Sequence, residues 1–498
     1  AKKGSEVKID NWTFNNNGNS AEEVRSEEGG AHITATIKQL KPKMVLSHVI
    51  NGETSIAAGS KVVSVDDAPH KAAENIGLMA EGRKNPTAPA PLTAWTNGDF
   101  EIENHGTIDF SVAEKSTAIF SNSARAKNDG IIKVGKNSTA IYGFYDSTTR
   151  TYEVVPPAVA LPNKLEIETT SNSKISLGDK STGMYLINAE KVENKGGQIT
   201  SEVGATKNVG IYAINGAVDK GNAKDNSIYN KSQNYKTLNM VTATNITLGN
   251  GSVGLYSKGQ SNNVRNSVTN TGNITVGSKI TVSKTENYPS VAMYAENTNL
   301  NTDSKIKVGN DGIAFYGKNS DITAKGTVNF SNNGVLAYLE NSKFISHLGN
   351  LGATKNTMMY LKNSIAQLDG AGAKVDIEVA DGYTGAYIEG NSQLTGVKTI
   401  KLGENSTGLY LQETTPNFVS TVETITGTKD KARGISAINS NFTNNSKISL
   451  SGEESVALYA KNDSATSKYI VNNGELNLSG KRTLGAFLRG DQTFENKA

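Results

Sequence analysis

A glycine followed seven positions later by an aromatic residue recurs along this chain, at Gly135/Tyr142, Gly178/Tyr185, Gly249/Tyr256, Gly309/Tyr316, Gly403/Tyr410, Gly452/Tyr459 and Gly480/Phe487. Looser copies end at Phe120, Tyr212, Tyr294, Tyr338, Tyr360 and Tyr387, and the run Tyr294, Tyr316, Tyr338, Tyr360 advances by 22 residues at each step. Self-similarity at a fixed period marks a chain whose units bury their apolar faces only against their neighbours. Composition agrees: 498 residues with 36% hydrophobic content and 6% aromatics are too many, and too polar, for one compact core.

Within one period, as in Ser304 to Phe344, short apolar alternations ("KIKVG", "GIAFY", "TVNF", "VLAYL") are separated by Gly, Asn, Ser and Asp. Such runs read as strands, and β-branched residues fill the apolar positions without any i, i+3, i+4, i+7 stripe. Three strands in about 22 residues leave corners of two or three residues, too short for a crossover helix, so consecutive strands belong to different sheets. The predicted fold is all-β: a right-handed parallel β-helix, a three-sheet solenoid of about 22 residues per coil. A β-propeller competes, but its blades need about 40 residues each.

Alternation of side chains assigns the faces of the aromatic strand. It predicts Thr407, Leu409, Val253, Leu255, Val456 and Leu458 inside. The aromatic and the small residue two before it (Gly408, Gly254, Ala457) are placed together outside, with the rings forming an external ladder. Glycine is read as turning the corner, and the asparagines of "GKNSD", "LENSK" and "LKNSI" as turn residues tolerant of left-handed geometry.

Residues 60–498 carry the repeats, whereas 1–59 are less regular and read either as a cap or as first coils. Departures from the pattern fall near 83–97, 143–163, 215–236 and 282–290, where prolines or long steps interrupt it. The steps Tyr142 to Tyr185 and Tyr212 to Tyr256 are 43 and 44 residues, consistent with an excursion or with a degenerate extra coil. Loops on a rigid scaffold commonly carry binding. The candidate binding residues are therefore Phe144, Tyr145, Arg150 and Tyr152 of a projecting hairpin, Tyr229 and Tyr235 of the second excursion, and Tyr288 of the third.

Net charge of +3 gives no reason to expect nucleic acid as a partner. No cysteine is present, and no run of about 20 apolar residues suggests a membrane-spanning helix. The five histidines lack metal-ligand spacing, and no paired carboxylates recur at one slot of adjacent coils, so neither a cofactor, a metal nor an enzymatic reaction is expected. Arg489-Gly490-Asp491 spells an integrin-type tripeptide in a slot where turn chemistry accounts for it equally well.

The phrases "NSTGLYL", "KSTGMYL", "NVGIYA" and "NDGIAFYGKNSDI", with their Asn-rich corners, resemble the passengers of the very large type V autotransporters of fusobacteria over residues 60 to 490. That resemblance implies a monomeric segment of a longer chain, displayed at the cell surface and anchored to the outer membrane by a barrel outside this sequence. It also implies attachment to other bacteria or host cells through protein or glycan receptors. Alternatives are a purely structural stalk or, less favoured, a polysaccharide-active β-helix.

Overall fold

A computed structural model describes the chain except residues 1–5, 10–12, 15–20, 28–29, 40–42, 51, 65–72, 82–100, 146–164, 217–236, 282–286, 349–357, 370–371 and 416. All elements among the described residues are strands, in two compact units, Ala1–Asn273 and Ile274–Ala498. Each unit is a stack of coils with parallel sheets.

In the first unit one coil comprises Thr117–Asn122, Arg125–Asn128 and Ile131–Val134. These pair in parallel with Thr139–Phe144, Glu166–Thr169 and Lys174–Leu177 of the next coil. In the second unit Thr407–Gln412, Phe418–Ser420 and Thr424–Gly427 pair likewise with Arg433–Ile438, Phe442–Asn444 and Lys447–Leu450. Three short strands per coil, each stacked on its equivalent, make a parallel β-helix. Strands before residue 60 stack in the same way, Gly30–Ile33 on Glu53–Ile56. Tyr142 pairs directly with Tyr185, and Tyr212 with Tyr256, so the long steps contain no additional rung.

Like stacks on like in the interior. Ile108, Ile132, Ile175, Ile199 and Ile246 lie in one register column, each no more than 1% exposed. Ile377, Ile400, Ile425 and Ile448 form the equivalent column in the second unit, each no more than 2% exposed. β-Branched side chains with one preferred rotamer repeat this packing at every coil, and each fully buried isoleucine contributes about 1.5–3 kcal/mol of transfer free energy.

The aromatic strand departs from strict alternation. Leu409, Leu255 and Leu458 are inside, as expected, but Thr407, Val253 and Val456 are half-buried and the small residue is the one that faces inward. A Cβ on Gly408 would lie 2.6 Å from the Gly434 carbonyl oxygen and 3.2 Å from Ile425 Cγ2, both interior atoms. Two consecutive residues thus face the core before the aromatic turns out. At most coils that step is filled by glycine or alanine, as at Gly408, Gly254 and Ala457, although Leu336, two before Tyr338, is also fully buried there.

The corners also differ from expectation. The left-handed residue lies five positions before the aromatic, as at Asn137 (φ 55°), Lys180 (φ 57°) and Asn405 (φ 50°), not at the repeat's glycine. A second left-handed residue follows the aromatic by three, at Asn319, Asn341 and Asn363, the asparagines expected to turn there.

Many of these left-handed residues, Asn137, Lys180, Asn319, Asn341 and Asn363 among them, are followed by a buried serine, and the serines form hydrogen-bonded ladders. The amide of Ser116 donates to Ser138 Oγ and that of Ser138 to Ser181 Oγ, both at 3.0 Å. At the other corner in the second unit, the amides of Ser320, Ser342 and Ser364 donate to Oγ of Ser342, Ser364 and Ser392, each at 3.0 Å. Buried amides that the sheets cannot pair are thereby satisfied.

Candidate functional site

The outward ladder is the most extended chemical feature of either unit. In the first, Phe120, Tyr142, Tyr185, Tyr212 and Tyr256 stack with centroids 4.5–5.3 Å apart. In the second, Tyr294, Tyr316, Tyr338, Tyr360, Tyr387 and Tyr410 stack at 4.4–5.1 Å. Coil spacing imposes this geometry: strands about 4.8 Å apart bring identical rings into near-parallel stacks.

Two residues beyond each ring, a second outward column runs beside the ladder. In the first unit it reads Asn122, Phe144, Ile187, Ile214, Lys258. Its three apolar members are 7%, 2% and 9% exposed. In the second unit it reads Glu296, Lys318, Glu340, Lys362, Glu389, with alternating charge. Lys362 Nζ lies 2.7 Å from Glu389 Oε1, and Lys318 Nζ 3.8 Å from Glu296 Oε1.

The tyrosine hydroxyls join this charged column. Tyr316 donates to Glu340 at 3.2 Å and Tyr360 to Glu389 at 2.7 Å. Burial, followed by the nearby carboxylates, raises both phenols well above their ordinary range, so they remain protonated donors. The Lys362 hydrogen bond, opposed by burial and aided by Tyr360, holds Glu389 below the usual carboxylate range.

One rung is missing. Ser436 occupies the aromatic position between Tyr410 and Tyr459 in register, and the ladder resumes with Tyr459 on Phe487 at 5.4 Å. Arg433, three residues earlier on the same strand, sets its guanidinium 4.7 Å from the Tyr459 centroid.

Of the residues singled out in the sequence, Phe144 corrects the expectation of a projecting hairpin. It ends the strand Thr139–Phe144 and is 7% exposed. The excursion therefore begins later than 143, and Tyr145 is half-buried, with its amide donating to the Ile187 carbonyl at 3.0 Å. Arg150, Tyr152, Tyr229 and Tyr235 lie outside the described residues, as does 83–97. Tyr288 is half-buried in the two-residue strand Asn287–Tyr288, antiparallel to Ile280–Thr281, at a small hairpin. Tyr288 belongs to the second unit, and Phe144 and Tyr145 to the first.

Arg489-Gly490-Asp491 forms an exposed corner whose backbone lies close to the preceding coil. Gly490 has φ 91°, a Cβ there would lie 2.0 Å from the Asn462 carbonyl oxygen, and Ser467 donates to the Asp491 carboxylate at 3.1 Å. Among the described residues no group of three or more His, Cys, Asp or Glu side chains is placed to hold a metal, and no helix is long and apolar enough to cross a membrane. Histidine 105 pairs with Glu103 at 2.7 Å and Asp129 at 3.5 Å on the coil surface.

Fold and ladder define the class: a β-solenoid of the parallel β-helix type with external aromatic stacks. Comparison with known proteins finds no matching family model, no matching curated protein and no matching solved structure.

Proposed function

We propose that this chain is part of a bacterial cell-surface adhesin, the passenger of a large outer-membrane autotransporter, attaching the cell to other bacteria or host cells through protein or glycan receptors. One observation carries the reading: the coils repeat their interior almost without change while outward columns vary from apolar to charged to interrupted. A scaffold of this kind separates stability, which resides in stacked isoleucines and serines, from recognition, which is free to differ along the surface. Binding requires no catalytic group and no cofactor in this reading, and the partner is a receptor on another surface.

The stalk reading draws on a specific observation of its own. Ring faces in the ladders are spent on one another, and the hydroxyls of Tyr316 and Tyr360 are already engaged by carboxylates. Attachment of the purified 498-residue chain to target bacteria and epithelial cells, with free sugars as competitors, separates the two. Saturable, competable binding supports the adhesin. Absence of binding by a chain that melts cooperatively leaves a spacer and overturns the proposal.

A further inference from the structure

We propose that the missing rung at Ser436 is a recognition point for a carboxylate carried on a pyranose ring, with Arg433 as its anchor. The proposal goes beyond the adhesin reading and does not depend on it.

Register places Tyr410 and Tyr459 two coils apart, about 9–10 Å between ring planes at ordinary strand spacing. In every neighbouring coil of this ladder from Tyr294 to Tyr410 a tyrosine ring fills that position. Here a planar cation enters it instead: Arg433 stacks on Tyr459 and, though exposed, has no ion-pair partner among the described residues. A guanidinium held against an aromatic face keeps its N–H donors available, and a planar donor fork of this kind pairs bidentately with a carboxylate.

Ser436 supplies the second observation. It is 1% exposed, and its hydroxyl has no hydrogen-bond partner. Buried polar groups are almost always satisfied, so an unused hydroxyl on the same strand as an unpaired arginine, at the one interrupted rung between Tyr410 and Tyr459, marks a place where hydrogen bonding is left open until Arg433 moves to meet a ligand.

The strand itself narrows the class of ligand. Arg433–Ile438 is paired along both edges, with Thr407–Gln412 and with Val456–Lys461, so no peptide can add main-chain hydrogen bonds here. Only side chains remain: a guanidinium fork flanked by two tyrosines. Their apolar ring edges and hydroxyls suit a compact sugar ring with a C6 carboxylate better than an extended peptide.

The test uses the full chain at 0.15 M salt and saturation-transfer NMR with methyl β-glucuronide, methyl β-glucoside and the methyl ester of the glucuronide. The expected result is transfer to the glucuronide, with the neutral sugars weaker by about tenfold, the size of one lost charge-assisted bond. Arg433→Ala should reduce transfer by about tenfold while the thermal midpoint stays within a few degrees, and Arg433→Lys, which keeps charge without the fork, should fall between. Ser436→Tyr should restore the ladder, displace Arg433 and abolish binding. Equal transfer to the glucoside, an unaffected Arg433→Ala chain, or displacement of the sugar by oligoglutamate at lower concentration would each overturn the assignment. Cell attachment plays no part in these readouts, so failure of the adhesin reading leaves them unchanged.

Discussion

The column beside the aromatic ladder is built of Phe144, Ile187 and Ile214 in one unit and of Glu296, Lys318, Glu340, Lys362 and Glu389 in the other. Both follow a tyrosine by two positions, on parallel strands of five or six residues. The difference teaches that backbone register alone brings equivalent side chains together, and that the column's chemistry is then free, provided neighbours attract. Stacked apolar groups satisfy that condition by burial, and charges satisfy it only by alternating sign, since like charges directly opposite destabilise a sheet.

The largest expected effect lies beneath both columns. Leu255→Asp and Leu409→Asp each bury an unpaired charge at a site that is 0% exposed, and each should cost about 3–5 kcal/mol in its own unit. Peptide-resolved hydrogen exchange should show loss of protection around the substituted coil in both. A strong effect in one unit only would break the equivalence of the two scaffolds.

Next, Ile187→Lys should destabilise its unit by about 2–3 kcal/mol, because the residue is 2% exposed between two apolar neighbours, whereas Lys362→Ile, at a solvent-facing side chain, should shift the melt far less. Thermal melts of the two variants sharpen the contrast, and comparable shifts would erase it.

Ser342→Ala removes the acceptor for the buried Ser320 amide and should cost about 1–2 kcal/mol, read as faster exchange of that amide.

The smallest effect is electrostatic. Because Glu389 has its folded pKa depressed, its contribution is fully present above the ordinary carboxylate pKa and is lost as pH falls from there through the lowered folded value. Stability of the second unit should therefore decline on acidification partly through this residue. Glu389→Gln should flatten that part of the profile at a cost of about 0.5 kcal/mol at pH 7, diminished by salt. An unchanged acid limb would remove the charged column from the account.

The repeat period and the stacking of rings were legible from the recurring copies of "GENSTGLYL", and the three-strand coil from Ser304 to Phe344, because a stacked fold repeats its local rules. Less was legible where residues break the period of two. Gly408 was assigned outward because strict alternation has no place for two consecutive inward residues, and only the approach of the Gly434 carbonyl reveals them. Serine gives no sequence signal separating a surface turn from a buried acceptor, so the hydroxyl ladders were invisible. Phe144 looked like part of a loop because "YGFYDSTTR" crowds aromatics against a turn, yet its register with Ile187 makes it a packed column member. Ser436 carried a usable signal, an absent aromatic in "ARGISAI" at the correct distance from its neighbours, and an audit of exceptions to the repeat would have found it.

The serine ladders have a direction. In each rung the amide belongs to the earlier coil and the accepting oxygen to the later one, as from Ser116 to Ser138 to Ser181. Peeling a coil from the C-terminal side of such a run strands a buried amide on the coil that stays behind. Peeling from the N-terminal side removes only a donor, and the remaining hydroxyl keeps its own carbonyl acceptor, as Ser342 Oγ does with Glu340 at 2.8 Å. The two ends of one ladder are therefore unequal under force: pulling at its C-terminal coil meets an orphaned donor at every step, and pulling at its N-terminal coil does not.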